Sequence, residues 1–154
     1  MSATVCMQWA AMESVTTFRG VVDATPPRLN TAKAVVDFLH SGPMAERDLR
    51  ERFVAIYLDS KLRLVAWRLI SLGTLDGTVV HPREVFAGAI EHRASSVVLC
   101  HNHPSGDPTP STEDVLLTKR FEAGGELLGI PVADHIIVGD ADRFFSFRSA
   151  GMLS

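Results

Sequence analysis

The run His101-Asn102-His103-Pro104-Ser105-Gly106-Asp107-Pro108-Thr109-Pro110-Ser111-Thr112-Glu113-Asp114 constrains this chain more than any other segment. It follows the apolar stretch Val97-Val98-Leu99-Cys100, which suits a buried strand. Side chains i and i+2 of a strand leave on the same side, so His101 and His103 can face one cation as the strand runs out. Pro104, Pro108 and Pro110 then stiffen a loop that delivers Ser111 and Asp114 to the start of a helix. Two imidazoles and a carboxylate form a known catalytic zinc set, with the fourth position left to water. The spacing predicts a metal site at His101, His103 and Asp114, and a metallohydrolase.

Each part of the run also has a plainer use. Serine is a preferred N-cap, and an acidic residue in the first turn favours the helix dipole. Alone, Ser111-x-x-Asp114 reads as a cap. A lone histidine is more often a core or surface residue than a ligand. The combination reads differently, because polar groups converging at a strand end cost stability unless something pairs them. Imidazole donors select Zn²⁺ over Mg²⁺ or Ca²⁺.

At 154 residues the chain suits one domain that buries its own core. The formal net charge is −3, which gives no electrostatic footprint for nucleic acid or an anionic membrane. The densest basic stretch, Arg47 to Arg52, is offset by Asp48 and Glu51, so direct nucleic-acid binding is not expected. Cys6 and Cys100 are too few for a disulfide framework and fit a reducing cytoplasm. No apolar run reaches membrane-spanning length, and the N-terminus lacks the basic-then-apolar order of a signal peptide. The expectation is a cytoplasmic protein with no membrane partner; oligomeric state is left open.

Residues 1–30 read as an N-terminal arm and 31–154 as the folded domain. Helical spacing runs from Thr31 to His40, with Asn30 or Thr31 as cap, and Ser41-Gly42-Pro43 ends it. Phe53 to Leu58 and Leu62 to Leu72 read as a hairpin around Asp59-Ser60-Lys61. Thr78-Val79-Val80 is a short extended piece. Pro82 opens a helix to Arg93 whose apolar face is Val85, Phe86, Ala89 and Ile90. Ser95 to Cys100 is a strand, Thr112 to Ala123 a helix stopped by Gly124-Gly125, and 131–138 with 144–147 a final strand pair. This order predicts an α/β domain with a mixed sheet flanked by helices.

His101-x-His103-x₇-Ser111-x₂-Asp114 resembles the JAMM (MPN-plus) metalloprotease motif, and in detail the RadC family. Pro104 to Ser111 is similar to that family's central block. So are His81-Pro82-Arg83-Glu84, Leu128-Gly129-Ile130-Pro131 and Asp134-His135-Ile136-Ile137-Val138-Gly139. The similarity covers roughly residues 45–150. The chain resembles the short forms found among mobile-element genes, which are expected to lack the family's N-terminal helix-hairpin-helix region. The similarity implies a JAMM/MPN, cytidine-deaminase-like architecture and hydrolysis of a peptide or isopeptide bond in a protein or peptide substrate.

The JAMM pattern also carries a glutamate on the first strand, and Glu51, two residues before Phe53, takes that place. The resemblance implies that Glu51 is the general base and then acid, and that Ser111 donates to the oxyanion. The plainer reading of Glu51 is a solvated residue of a charged segment. Glu84 is the reserve base, and Glu113 would point about 100° away from Asp114 around a helix. Asn102 faces away from the ligands and is expected to fix the loop by hydrogen bonds. Cys100 reads as a small buried apolar residue, and His135 as a core histidine or a partner of a ligand. An HNH nuclease spreads its three residues over a ββα unit, and a zinc deaminase needs a Cys-x-x-Cys pair absent here. The remaining alternatives are a non-catalytic MPN-type protein-binding module and a DNA-repair or mobile-element accessory protein.

Overall fold

The short apolar runs bounded by turns pair into a single mixed sheet. The computed structural model describes residues 25–46, 48–73 and 80–154. Most of the predicted arm, and Thr78 and Val79 of the predicted extended piece, lie outside the described residues. The sheet contains β1 (Arg52–Leu58), β2 (Leu64–Leu72), β3 (Ser96–Asn102), β4 (Val132–Val138) and β5 (Phe144–Ser146), in the order β2-β1-β3-β4-β5. All neighbours run antiparallel except β3 and β4, which are parallel. A parallel pair needs a long crossover, and α3 (Thr112–Leu128) supplies it.

Helices cover both faces, which explains why Phe53 to Leu58 is continuously apolar instead of alternating. On one face α1 (Ala32–Ser41) packs Val35, Val36, Phe38 and Leu39 against Val54, Ile56, Val98 and Ile136. On the other, Val85, Phe86 and Ala89 of α2 (Pro82–Glu91) and Phe121 of α3 pack against Phe53, Ala55, Tyr57, Val97 and Leu99. His101 points to this second face, where its ring stacks on Phe53 at 5.8 Å. The α/β sandwich with a mixed sheet is the predicted class.

Local differences have tertiary causes. Asp59 Oδ1 accepts from the main-chain N–H of Lys61 and of Arg63, and Leu62 takes φ 60°, so the hairpin turn extends to residue 63 and β2 starts at Leu64. Ile90 is 59% exposed; α2 instead buries Gly88, whose missing side chain admits Tyr57. The Tyr57 hydroxyl donates to the Val85 carbonyl at 3.0 Å, which sets the helix rotation. Nor does α3 stop at Gly124-Gly125: it continues to Leu128, and Gly129 ends it in the left-handed conformation at φ 69°. Gly125 is buried and serves a close approach, since a Cβ there would lie 2.5 Å from the Ile130 carbonyl oxygen. Helix propensity alone makes Gly125→Ala stabilising by about 1 kcal/mol. The clash reverses that sign, and the variant should be less stable by about 1–2 kcal/mol in denaturant unfolding. A raised unfolding midpoint would show that the backbone at Ile130 yields and that the packing account is wrong.

Candidate metal centre

The end of β3 and the first turn of α3 bring His101, His103 and Asp114 together, with ligand atoms all within 4.8 Å of one another. His101 Nε2 lies 3.1 Å from His103 Nε2 and 3.1 Å from Asp114 Oδ1, and His103 Nε2 lies 3.3 Å from Asp114 Oδ2. A tetrahedral ion with 2.0–2.1 Å bonds to N and O has ligand edges of about 3.3–3.4 Å. The spacing and the donor chemistry both fit zinc.

Hydrogen bonds behind the rings decide which nitrogens face the site. His103 Nδ1 is 2.8 Å from the Asp107 carbonyl; a carbonyl only accepts, so Nδ1 carries the hydrogen and the neutral ring shows a bare Nε2 to Asp114. Burial disfavours the charged form of Asp114. In the metal-free protein, hydrogen bonds from the imidazoles when they carry a proton at Nε2, together with the Ser111 main chain, outweigh that burial and hold its carboxyl well below the usual carboxylate range. Asp114 is therefore an anion beside two imidazoles, the charge state a metal ligand needs.

Asp114 also completes the helix cap that the sequence suggested. Its Oδ2 accepts from Ser111 N–H at 2.7 Å, and Ser111 Oγ accepts from Asp114 N–H at 3.1 Å. The capping role is borne out, and it leaves lone pairs of the carboxylate free to face the histidines. The Ser111 bond uses its oxygen, leaving the hydroxyl proton to donate. Glu113 is exposed, as its angular position on the helix implies.

Glu51 reaches the same region through sheet register. Phe53 pairs with His101 across β1 and β3, and extending that register two residues past the last pair sets Glu51 against His103. Its charge is among the groups that raise the His103 pKa. Asn102, on the other side of β3, holds that position. It accepts from Arg52 N–H at 2.7 Å and donates to the Arg50 carbonyl at 3.1 Å, clamping both neighbours of Glu51. Glu84 is exposed in the first turn of α2 and paired with Arg83, apart from the cluster. Cys100 is fully buried on the α1 side, where burial and then Asp134 push its thiol pKa well up.

The proline-rich loop is fastened to the β4–β5 turn. His103 N–H donates to the Val138 carbonyl at 2.9 Å, and the Gly106 carbonyl accepts from Asp140 N–H and from Arg143 Nη2. Gly106 sits at φ 85°, with the Asp140 carboxylate where a side chain would go. Beside His103 opens a cleft bordered by Met44, Asp48, Arg52 and Asp140. Sequence reasoning missed Thr118, which lies one turn after Asp114 on the same buried face; that i,i+4 spacing was the available signal.

Fold and site together define a class: an α/β domain able to hold a metal ion between a His-x-His strand end and a helix-borne aspartate. Residues 29–152 match the family model described as a RadC-like JAB domain, and the chain belongs to the RadC family. It is 55% identical over 108 residues to a UPF0758 protein of Desulforamulus reducens, covering 70% of this chain and 47% of that relative. A UPF0758 protein of Methanosarcina mazei is 39% identical over 132 residues, 86% of this chain and 56% of the relative. One of Pelobacter propionicus is 41% identical over 145 residues, 94% of this chain and 62% of the relative. The chain spans about half the length of the curated relatives it matches. Among the described residues no helix is long and apolar enough to cross a membrane.

Without metal, the hydrogen bond to Asp114 raises the His103 pKa above its ordinary 6.5; burial opposes this, and the Asp107 carbonyl and Glu51 add to it. A raised folded-state pKa contributes stability that is fully present below 6.5 and lost as pH rises through the raised value. The unfolding midpoint of metal-free protein should therefore fall as pH rises above 6.5. His103→Gln should flatten that slope in thermal melts across pH; an unchanged slope assigns the dependence to other groups.

Proposed function

We propose that this chain is a zinc-dependent hydrolase that cleaves a peptide or isopeptide bond in a protein or peptide substrate. The observation that carries the reading is the convergence of His101 Nε2, His103 Nε2 and the Asp114 carboxylate at contacts of 3.1–3.3 Å. The bare Nε2 of neutral His103 and the Asp114 carboxylate are two acceptors side by side, a pairing that calls for a cation. When bound, zinc supplies the Lewis acidity that makes water nucleophilic near neutral pH.

The protein groups divide the remaining work. Glu51, exposed at the rim of the site, accepts the proton of the attacking water and returns it to the leaving amine. Ser111 points its hydroxyl proton at the oxygen that gains charge as the amide carbonyl becomes tetrahedral; such a donor is worth about 3 kcal/mol. Asn102 keeps Glu51 at its distance by holding residues 50–52. The RadC-like JAB match and the metal-competent cluster support this reading over a purely protein-binding module.

Protein purified without chelator should hold about one zinc per chain, and His103→Ala should lose it. Absence of stoichiometric zinc from the wild-type protein would sink the hydrolase reading. Against a quenched-fluorescence peptide library, Glu51→Gln should keep its zinc while turnover falls by about 10²–10⁴-fold. Undiminished turnover removes Glu51 as the base. Asn102→Ala should also keep its zinc, with turnover reduced by about 10–100-fold through misplacement of Glu51. Wild-type rates in that variant mean the clamp is only structural.

A further inference from the structure

His135 is fully buried on β4, and nothing in the proposed chemistry uses it. Its Nε2 lies 2.9 Å from His101 Nδ1, and its Nδ1 lies 2.6 Å from Thr118 Oγ1. The Thr118 hydroxyl donates in turn to the main-chain carbonyl of Asp114, also at 2.6 Å. An unbroken chain of polar contacts thus leaves one ligand residue, His101, and ends on another, Asp114. His101, Thr118 and His135 are each 1% exposed or less, so water does not interrupt it.

The direction of this chain follows from counting hydrogens. The Asp114 carbonyl can only accept, so it takes the single hydroxyl proton of Thr118. Thr118 oxygen then accepts, and His135 Nδ1 must carry the hydrogen. A neutral imidazole has one N–H, so His135 Nε2 is bare and accepts from His101 Nδ1–H. With its hydrogen used at the back, His101 presents a bare Nε2 to the site. The opposite direction would place a hydrogen on His101 Nε2, aimed at Asp114 Oδ1, and block metal there. Both directions hold the same number of hydrogens, so the arrangement alone distinguishes them.

The ring that imposes this order is itself held. Phe147 stacks on His135 at 4.9 Å and 12°, and Phe53 leans against it at 5.9 Å. We infer that His135, oriented by Thr118, is a positioning residue that fixes His101 in its Nδ1–H form and so keeps Nε2 available to the metal ion. The inference rests on the metal site proposed above. His103 reaches the same form by a separate device, the exposed Asp107 carbonyl. The two ligands therefore have independent locks, one buried and one at the surface.

Zinc affinity of the full chain, measured by competition with a chromophoric chelator, tests this. His135→Phe keeps the ring and its stacking but removes both nitrogens, and should weaken zinc binding by about 10–100-fold. His135→Gln, whose amide oxygen can accept from His101, should recover most of that loss. A merely structural His135 would lower the unfolding midpoint while leaving zinc affinity unchanged, and equal affinity in wild type and His135→Phe overturns the inference. Should His135→Phe not fold, long-range ¹H–¹⁵N spectra of the zinc-loaded wild type decide. Hydrogen on His135 Nδ1 with a bare Nε2 supports the lock, whereas hydrogen on Nε2 overturns it. A wild-type chain that takes up no zinc overturns both this inference and the hydrolase reading; zinc held with equal affinity by both chains defeats only the lock.

Discussion

The meeting of two imidazole nitrogens and a carboxylate at one point is the arrangement on which the rest of the structure depends. Left to themselves, bare His101 Nε2, bare His103 Nε2 and the Asp114 carboxylate would separate. The fold prevents it by mounting each on a rigid element. His101 lies in the central strand β3, paired on both sides, and Asp114 lies in the first turn of a 17-residue helix. His103 follows where the strand ends, held by its N–H bond to Val138 and by the glycine-dependent fastening of the loop beyond it. Such sites store unfavourable contacts that the surrounding core sustains, and here that core lies on both faces of β3.

Asp114 shows how one residue satisfies two demands without conflict. As the N3 residue of a capping box it fixes the start of α3, and the reciprocal bonds with Ser111 fix its own rotamer. The locked rotamer aims the carboxylate at the histidines, so the cap is part of the reason the ligand is in place. The same turn turns Thr118 inward, one helical repeat later, to close the chain through His135. A helix start, a ligand and the buried support of another ligand thus share two turns of α3.

Much of this was legible in the sequence, and what was not has identifiable causes. Continuous apolar runs locate β1, β3 and β4, helical spacing locates α1, the capping signal at Ser111 locates the start of α3, and the strand period alone places both histidines on one side. The Gly124-Gly125 pair misleads because local propensity cannot reveal that the backbone of Ile130 passes close by. Ile90 misleads because the rotation of α2 is set by Tyr57, a residue of another element. Glu51 is harder still. No local pattern joins it to His103; only the antiparallel register does, and that is a property of the folded sheet. Resemblance to the RadC family proposed its place, whereas Thr118 could have been found from its i,i+4 relation to Asp114.

That register also explains why Asn102 sits between the two histidines. Backbone pairing of β1 with β3 ends at Phe53 and His101, before Glu51 is reached. A slip of one residue would turn Glu51 to the opposite side of the sheet. Asn102 prolongs the pairing with its side chain: the amide accepts from Arg52 N–H and donates to the Arg50 carbonyl, as the main chain of another strand residue would. Because its side chain lies on the face opposite the ligands, it does this without entering the metal cluster. The middle residue of His-Asn-His is therefore no spacer. It carries the sheet's register one step past the last backbone pair and holds the main chain on both sides of Glu51.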